Sequence, residues 1–241
     1  MINKSKIFRT VFYITGLLTL ALGIILNTKS GLGVSPIISV SYSISTITGV
    51  NFGNMTFILY GVFVVIEIIL HSIKYFSVPK KIHTEEYKIL QPTLHKSLSF
   101  VLLSDLLQLP LSLVFTRFMN LFSGWIPSPE ENIKLQFLCL FCGIIFTGIG
   151  AAMSLDMRII PNPGDGIVQA IADFINKSVG FTKNCFDLCN ICITISISLI
   201  FAHKLIGIGI GTVVAVLGVG RVIALFNHLF MDKMVKAAGV E

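Results

Sequence analysis

Apolar residues occur along this chain in six long runs, separated by polar segments or by segments rich in glycine and proline. Each run reaches the roughly 20 residues that an α-helix needs to cross the hydrocarbon core of a bilayer. The pattern therefore predicts six transmembrane helices, at residues 8–27, 54–73, 97–116, 135–155, 184–203 and 207–229.

Two shorter apolar segments, 36–48 and 164–176, lie between these runs. A helix of that length covers roughly 20 Å, less than the ~30 Å hydrocarbon core. A cluster of Gly and Pro residues precedes each segment and a turn follows it. Backbone that is broken at membrane depth is tolerated only when it is buried in protein or lines a wet cavity. We therefore expect two short re-entrant helices.

The glycine and proline pattern of the first half recurs 127 positions later in the second half. The matching positions are Gly16 and Gly143, Gly23 and Gly150, Pro36 and Pro163, and Gly53 and Gly180. Paired repeats that each contain a broken segment are typical of transporter folds. The prediction is an all-α integral membrane protein with two repeats, each of three spans and one short re-entrant helix. Residues 1–120 would form the first repeat and residues 121–241 the second.

The distribution of the 18 Lys and Arg residues predicts the topology. If the short helices do not cross, most of these bases lie on one side, together with the termini and the loop 74–96. The positive-inside rule makes that side cytoplasmic. Each repeat then has three crossings, an odd number, so the two repeats are predicted to be inverted relative to each other.

Composition separates the chain from soluble classes of protein. It is 54% hydrophobic and 12% charged, with a mean hydropathy of +0.86, so the lipid bilayer is its first expected partner. The net charge of +6 comes from bases scattered over loops without interleaved aromatic residues, which argues against a nucleic-acid partner. The sequence contains no Walker, H-E-x-x-H or G-x-S-x-G motif, so no enzymatic activity, catalytic residue or cofactor is expected.

Five cysteines lie within the predicted spans, where they form two C-x-x-C pairs. Apolar neighbours surround them, and the turn that usually accompanies a zinc site is missing. We expect them to be small packing residues and predict no metal site, with a soft-metal or redox role as the alternative. They are Cys139, Cys142, Cys185, Cys189 and Cys192.

The second short helix carries the clearest candidate site. Asp165, Gln169 and Asp173 recur at every fourth position and form one polar stripe. With Ser35, Ser39 and Tyr42 of the first repeat, they are the predicted substrate-binding residues. In the alternative interpretation, Asp165 only caps its helix and Asp173 faces cytoplasmic water.

Ionisable residues within the spans form a second group of candidates, because they are costly there and usually face the interior. Arg221 is predicted to pair with Asp187 or Asp105. The alternative is proton coupling through Asp187 or Glu67, with Asp105 as a further candidate for the coupling acid. Asp187 and Asn190 are expected to share one inward face. Glu67 lies near the end of its span and is expected to reach towards the interface.

Three segments resemble those of the YitT/YczE-type bacterial membrane proteins: residues 31–36 (GLGVSP), 162–166 (NPGDG) and 207–212 (GIGIGT). The glycines of the last segment are also expected to permit close helix packing. Asp165 and Asp105 fall on acidic positions of that family, whereas Ile38 replaces its first acid. The resemblance implies a bacterial cell-membrane protein and transport or export of small molecules. The positive-inside rule, applied above, predicts that both termini are cytoplasmic.

Together these features predict a secondary transporter or exporter of a small organic solute. It would work by alternating access, without ATP hydrolysis of its own. The alternative is a membrane scaffold or sensor that transports nothing. The oligomeric state is left open, with a homo-oligomer as one option.

Overall fold

The computed structural model describes residues 4–77, 98–129 and 132–240, and the regular structure of these residues is entirely helical. Most of the predicted loop 74–96 lies outside the described residues. In chain order the helices are α1 Lys4–Lys29, α2 Pro36–Thr48, α3 Phe52–Ser77, α4 Leu98–Trp125, α5 Ile133–Asp156, α6 Pro163–Ile175, α7 Val179–Ala202, α8 Ile210–Phe226 and α9 Asp232–Ala238, with a π-helical turn, Asn227–Met231, joining the last two.

Six helical stretches are long and apolar enough to cross a membrane: α1, α3, α4, α5, α7 and the continuous stretch Ile210–Ala238. The predicted number of spans is confirmed, and the chain has the character of a multi-pass membrane protein. The largest difference concerns α4, which continues to Trp125. It therefore passes through the predicted division between repeats at residue 120.

The helices present apolar side chains outward and many polar side chains inward. Ile58, Val65 and Phe201 are among the large apolar residues on the exposed surface, whereas Ser112 and Thr194 are completely buried. Lipid accepts the apolar surface, and the buried hydroxyls can bond to the backbone or to neighbouring helices. This is the arrangement expected of a bundle embedded in lipid.

The most extensive helix contact joins α1 to α5, which run antiparallel. A Cβ atom on Gly16 would lie 2.8 Å from the backbone nitrogen of Ser154, and one on Gly143 would lie 2.6 Å from that of Asn27. A Cβ on Gly150 would lie 2.6 Å from the carbonyl oxygen of Gly16. Glycine is required here because any side chain would push the two backbones apart.

Both described ends of the chain lie at one end of the bundle, which we call the terminal end. A Cβ on Gly239 would contact Ser5. The guanidinium group of Arg9 donates hydrogen bonds of 2.8 Å to the carbonyl oxygens of Met157 and Arg158. The connection between α5 and α6 therefore also lies at the terminal end; the opposite end is called the far end.

The two short helices have the predicted extent and clear end signals. Helix α2 begins at Pro36 and ends before Gly49, whose φ of 74° allows the left-handed C-cap. Helix α6 begins behind Asn162, whose Oδ1 accepts a hydrogen bond of 3.1 Å from the backbone nitrogen of Gly164. The N-cap is thus Asn162, and the alternative in which Asp165 caps the helix is wrong.

Each short helix packs against a span: α2 against α7, and α6 against α3. Their N-terminal ends meet inside the bundle, where Cδ1 of Ile37 would lie 2.9 Å from a Cβ on Gly164. From this point α6 runs to the terminal end, where the carbonyl oxygen of Asp173 accepts a hydrogen bond of 2.6 Å from Nζ of Lys74. Helix α2 runs to the far end.

Two glycine-rich segments are joined through their backbones at the far end. The amide of Val34 donates to the carbonyl oxygen of Gly207 at 2.8 Å, and the amide of Gly211 donates to that of Leu32 at 2.7 Å. Gly33, with a φ of 122°, leaves no room for a Cβ, which would lie 2.6 Å from Oγ1 of Thr212. Residues 207–209 precede α8, so the prediction that they pack as part of the last helix is wrong.

Candidate functional site

A cavity of about 300 Å³ lies towards the terminal end of the bundle. Helices α3, α4 and α6 and the connection after α5 form its walls. Arg158 and Gln169, whose side chains are exposed, stand at its mouth. Its polar lining comprises Glu67, His71, Ser104, Asp105, Gln108, Ser154, Arg158, Gln169 and Asp173. We call it the main cavity.

The innermost polar pair of the main cavity is Glu67 and Gln108, each with 1% of its surface exposed. Nε2 of Gln108 donates a hydrogen bond of 2.6 Å to Oε2 of Glu67. The Oε1 atoms of both residues are buried without a hydrogen-bond partner. Both side chains lie against Gly166 of α6: a Cβ there would be 2.9 Å from the Oε1 atom of each. The expectation that Glu67 reaches out to the interface is therefore wrong.

A second pair links the same two helices nearer the terminal end. Nδ1 of His71 lies 2.7 Å from Oδ2 of Asp105, which is 4% exposed. Asp105 is thus a buried acid, as predicted, but its partner is His71 and not Arg221. His71 carries a charge in this pair only when its imidazole is protonated. The pair also places a titratable group beside the mouth of the cavity.

The predicted stripe on the second short helix is divided between two cavities. Gln169 and Asp173 line the main cavity. Asp165 instead lines a separate cavity of about 50 Å³, where the two short helices meet. Ser35 lines this second space, which we call the central cavity, together with Lys183 and Asp187. Here Ser35 of the first half lies beside Asp165 and Asp187 of the second half.

Asp187 is the buried acid of the central cavity. One of its oxygens lies 3.7 Å from Nζ of Lys183, one helical turn earlier, while Oδ1 is buried without a partner. Asn190 is buried one turn later, which confirms the predicted inward face. Arg221, by contrast, is exposed on α8. The predicted pairing of Arg221 with Asp187 is wrong, since Lys183 takes that place.

Ser39 and Tyr42 line neither the main nor the central cavity. Ser39 is completely buried, with its hydroxyl 2.6 Å from that of Thr194 on α7. Tyr42 packs edge-on against Phe52, with ring centroids 5.6 Å apart. It also lines a cavity of about 160 Å³ among the glycine-rich segments of the far end. The structure therefore brings Ser35, but neither Ser39 nor Tyr42, to the aspartates.

Sequence reasoning overlooked His71 and Gln108 as site residues, and it considered Glu67 only as an alternative coupling acid. A signal for them exists, because Glu67 and His71 are four residues apart on α3, and Asp105 and Gln108 are three apart on α4. Each spacing puts both side chains on one helix face. A sequence does not show which two faces meet, and that knowledge is what turns four scattered polar residues into one site.

The cysteines do not form a cluster with other potential ligands. Cys139 and Cys142 are half-buried on α5, and Cys185, Cys189 and Cys192 are exposed on α7. Within the described ranges, no three His, Cys, Asp or Glu side chains are arranged to hold a metal ion.

The profile of DUF6198, a family of unknown function, matches residues 7–82 and 89–228. The chain belongs to this family. Neither a comparison with curated proteins nor one with solved structures gives a match. The family description does not mention the YitT/YczE-type proteins, so that resemblance stays a prediction.

Proposed function

We propose that the chain is a secondary transporter of a small organic solute, which it moves by alternating access without ATP hydrolysis. Its main cavity would be the open half of the pathway. The observation that carries this proposal is a difference between two comparable interfaces. The one between α2 and α7 is joined by hydrogen bonds between side chains, and the one between α3 and α6 borders the 300 Å³ cavity.

An inverted repeat is part of the proposal, and the contacts of α1 and α5 support it. Gly16 faces Ser154, and Asn27 faces Gly143. Adding 127 to the residue numbers of Gly16 and Asn27 gives Gly143 and Ser154, so the first contact is converted into the second. The two helices run antiparallel, so a rotation that exchanges them also reverses their direction across the membrane. That relation is typical of inverted repeats in transporters.

The short helices obey the same rule. Ser39 of α2 contacts Thr194 of α7, and Gly166 of α6 contacts Glu67 of α3. Position 39 corresponds to position 166, and position 67 to position 194, through the same shift of 127. Each half therefore contributes one short helix and one span, and each short helix packs on the span of the other half.

The proposed topology puts the terminal end in the cytoplasm of a bacterial cell. The Lys-rich loop 74–96 begins at this end, because Lys74 contacts the last turn of α6 there. Arg9 and Arg158 lie there as well. This concentration of bases is what the positive-inside rule associates with the cytoplasmic side. The main cavity would then face the cytoplasm.

The dimensions of the pathway suggest a solute of metabolite size. A volume of about 300 Å³ is at the lower end of small-molecule sites. Gln169, Asp173 and Asp105 offer hydrogen-bond acceptors on its walls, and Asp165 lies beyond them at the meeting point of the short helices. We propose that the solute enters along these walls. It would pass the central cavity when the interface between α2 and α7 opens.

The experiment compares metabolites inside and outside bacterial cells that contain wild type, Asp165→Asn, Asp173→Asn or an empty vector. The matched control is Asp232→Asn, the same substitution at an exposed position of α9. We expect one compound whose distribution follows wild type and the control but returns to the vector value in the two cavity variants. If the variants fold and every compound is distributed alike in all strains, transport is wrong, and the scaffold or sensor alternative takes its place.

A further inference from the structure

We infer that Glu67 and Gln108 form a proton-binding site at which Glu67 is held in its protonated form while α6 packs against it. This deepens the proposed function, on which its role in transport rests, by naming the coupling ion. The inference starts from two oxygen atoms, Oε1 of each residue, that are buried without a donor.

The two Oε1 atoms are hydrogen-bond acceptors, and each lacks a donor. The other carboxyl oxygen, Oε2 of Glu67, accepts a hydrogen bond of 2.6 Å from Nε2 of Gln108. An acceptor buried without a donor costs about 1–3 kcal/mol, and more when it is charged. An added proton on Oε1 of Glu67 changes that atom into a donor, and the amide oxygen of Gln108 is an acceptor.

The oxygens of the pair lie close to Gly166. Oε1 of Gln108 and both carboxyl oxygens of Glu67 would each be 2.9 Å from a Cβ there. A carboxylic acid and a primary amide in this arrangement can satisfy each other with two hydrogen bonds. One runs from the amide nitrogen to the acid and the other from the acid hydroxyl to the amide oxygen. A single proton on Glu67 thus allows both Oε1 atoms to take part in a hydrogen bond.

The charged groups around the pair favour a neutral Glu67. On α3, His71 is engaged by Asp105 of α4, and Lys74 is engaged by the backbone of α6. Helix α2, which also packs on α3, has no Asp, Glu, Lys, Arg or His in its 13 residues. On α6, Asp173 adds another negative charge to the cavity and Asp165 lies in the central cavity; beyond α5, Arg158 is exposed at the mouth. An ionised Glu67 would therefore be a buried charge without a bonded cation.

The equivalent position at the other interface explains how the proton would act. Thr194 corresponds to Glu67 by the shift of 127, and there a neutral hydroxyl closes the contact with Ser39. For α3 and α6 to close as tightly, the group at position 67 must also be neutral. Loss of the proton would leave a carboxylate that needs a hydrogen-bond donor, and it would favour a state in which α6 moves away from Glu67.

The test is infrared difference spectroscopy on purified protein in vesicles of phosphatidylethanolamine and phosphatidylglycerol at pH 7. We expect wild type to show a carbonyl stretch of a protonated carboxyl group that shifts in D₂O. Glu67→Gln should lose one component of this band, and the control Asp232→Asn should keep it. An unchanged band in a folded Glu67→Gln protein would overturn the inference.

If Glu67→Gln does not fold, Gln108→Leu gives an independent reading. It removes the donor to Oε2, so the carboxyl component should move to higher frequency. A spectrum identical to that of wild type would contradict the proton site. The outcome also separates the two proposals. If Glu67 is ionised in a protein that still moves a solute, only the proton site is wrong. If Glu67 is protonated and no solute moves, only the transport proposal is wrong.

Discussion

Two interfaces at opposite ends of the bundle join a short helix to a span, and they differ in chemistry more than in geometry. Between α2 and α7, Ser39 pairs with Thr194 and Ser43 with Ser198, at 2.6 and 2.8 Å. All four hydroxyls are completely buried. Such pairs are neutral and self-sufficient, so this interface is closed without help from solvent.

Between α3 and α6, the corresponding positions pair residues that have no hydrogen-bonding side chain with residues that are polar. Gly166 and Ala170 of α6 face Glu67 and His71 of α3. The short helix provides no hydrogen-bonding side chain at these two positions, and the span provides an acid and an imidazole. The difference teaches that a shared backbone plan can support one sealed interface and one that is open to polar ligands.

The largest expected effect comes from a disulfide across the interface between α2 and α7, which we call the sealed interface. In a protein whose native cysteines are replaced by serine, Ser43→Cys with Ser198→Cys should form a disulfide almost completely under mild oxidation. The two hydroxyl oxygens are only 2.8 Å apart, which places the side chains within bonding range. Mass spectrometry would measure the loss of both thiols.

The corresponding pair at the open interface is the matched control. His71→Cys with Ala170→Cys should oxidise much more slowly, because both side chains line the main cavity instead of sharing a hydrogen bond across the interface. Equal yields for the two pairs would mean that the difference between the interfaces does not persist in the membrane.

The next largest effect concerns the helix pair that supports both interfaces. Gly150→Ala should lower the free energy of unfolding by about 1–3 kcal/mol, because the new methyl group would collide with backbone atoms of α1. Gly220→Ala meets nothing within 4 Å and should raise stability slightly through helix propensity. Unfolding in mixed micelles measures both. A Gly150→Ala protein as stable as Gly220→Ala would contradict the close packing of α1 and α5.

A smaller effect is expected from one hydroxyl pair of the sealed interface. Ser39→Ala and Thr194→Val should each destabilise the protein, and the double mutant should lose less than the sum. Double-mutant cycles in membrane proteins give coupling energies of about 0.6 kcal/mol for such pairs. The cycle is measured by the same unfolding assay. Strict additivity would show that the 2.6 Å contact contributes nothing to closure.

The smallest effect is expected for Arg221→Gln. Its side chain is exposed on α8, and Asp187 already has Lys183 beside it. Surface substitutions of this kind usually change stability by less than about 0.5 kcal/mol. A thermal shift assay that compares it with Lys183→Gln would sharpen the contrast, since the latter leaves Asp187 without a nearby cation. A large loss for Arg221→Gln would revive the predicted pairing.

The helices could be predicted from the sequence because their signals are local. A run of apolar residues decides whether a segment spans, and Pro36 and Gly49 bracket the first short helix at its observed ends. Asp165 as a candidate followed from the four-residue spacing of polar side chains on the second short helix. These features need no knowledge of what lies on the neighbouring helix.

The rest of the site depends on contacts between distant parts of the chain. Glu67 looked like a residue at the end of a span, but Gln108 and Gly166 enclose it. The stripe of Asp165, Gln169 and Asp173 was expected to line one path, yet packing against α3 separates its first member from the other two. The 3.6-residue period defines a helix face, but only the arrangement of its neighbours decides which cavity each turn reaches.

The paired glycine-rich segments at the far end impose an order on how the protein can be made. Leu32 and Val34 bond to residues that the ribosome adds about 180 positions later, Gly211 and Gly207. At about 5–20 residues per second, the first short helix must wait on the order of ten seconds or more for that support. Until then α2 also lacks α7, so the insertion machinery or the lipid itself has to accommodate an incomplete first half.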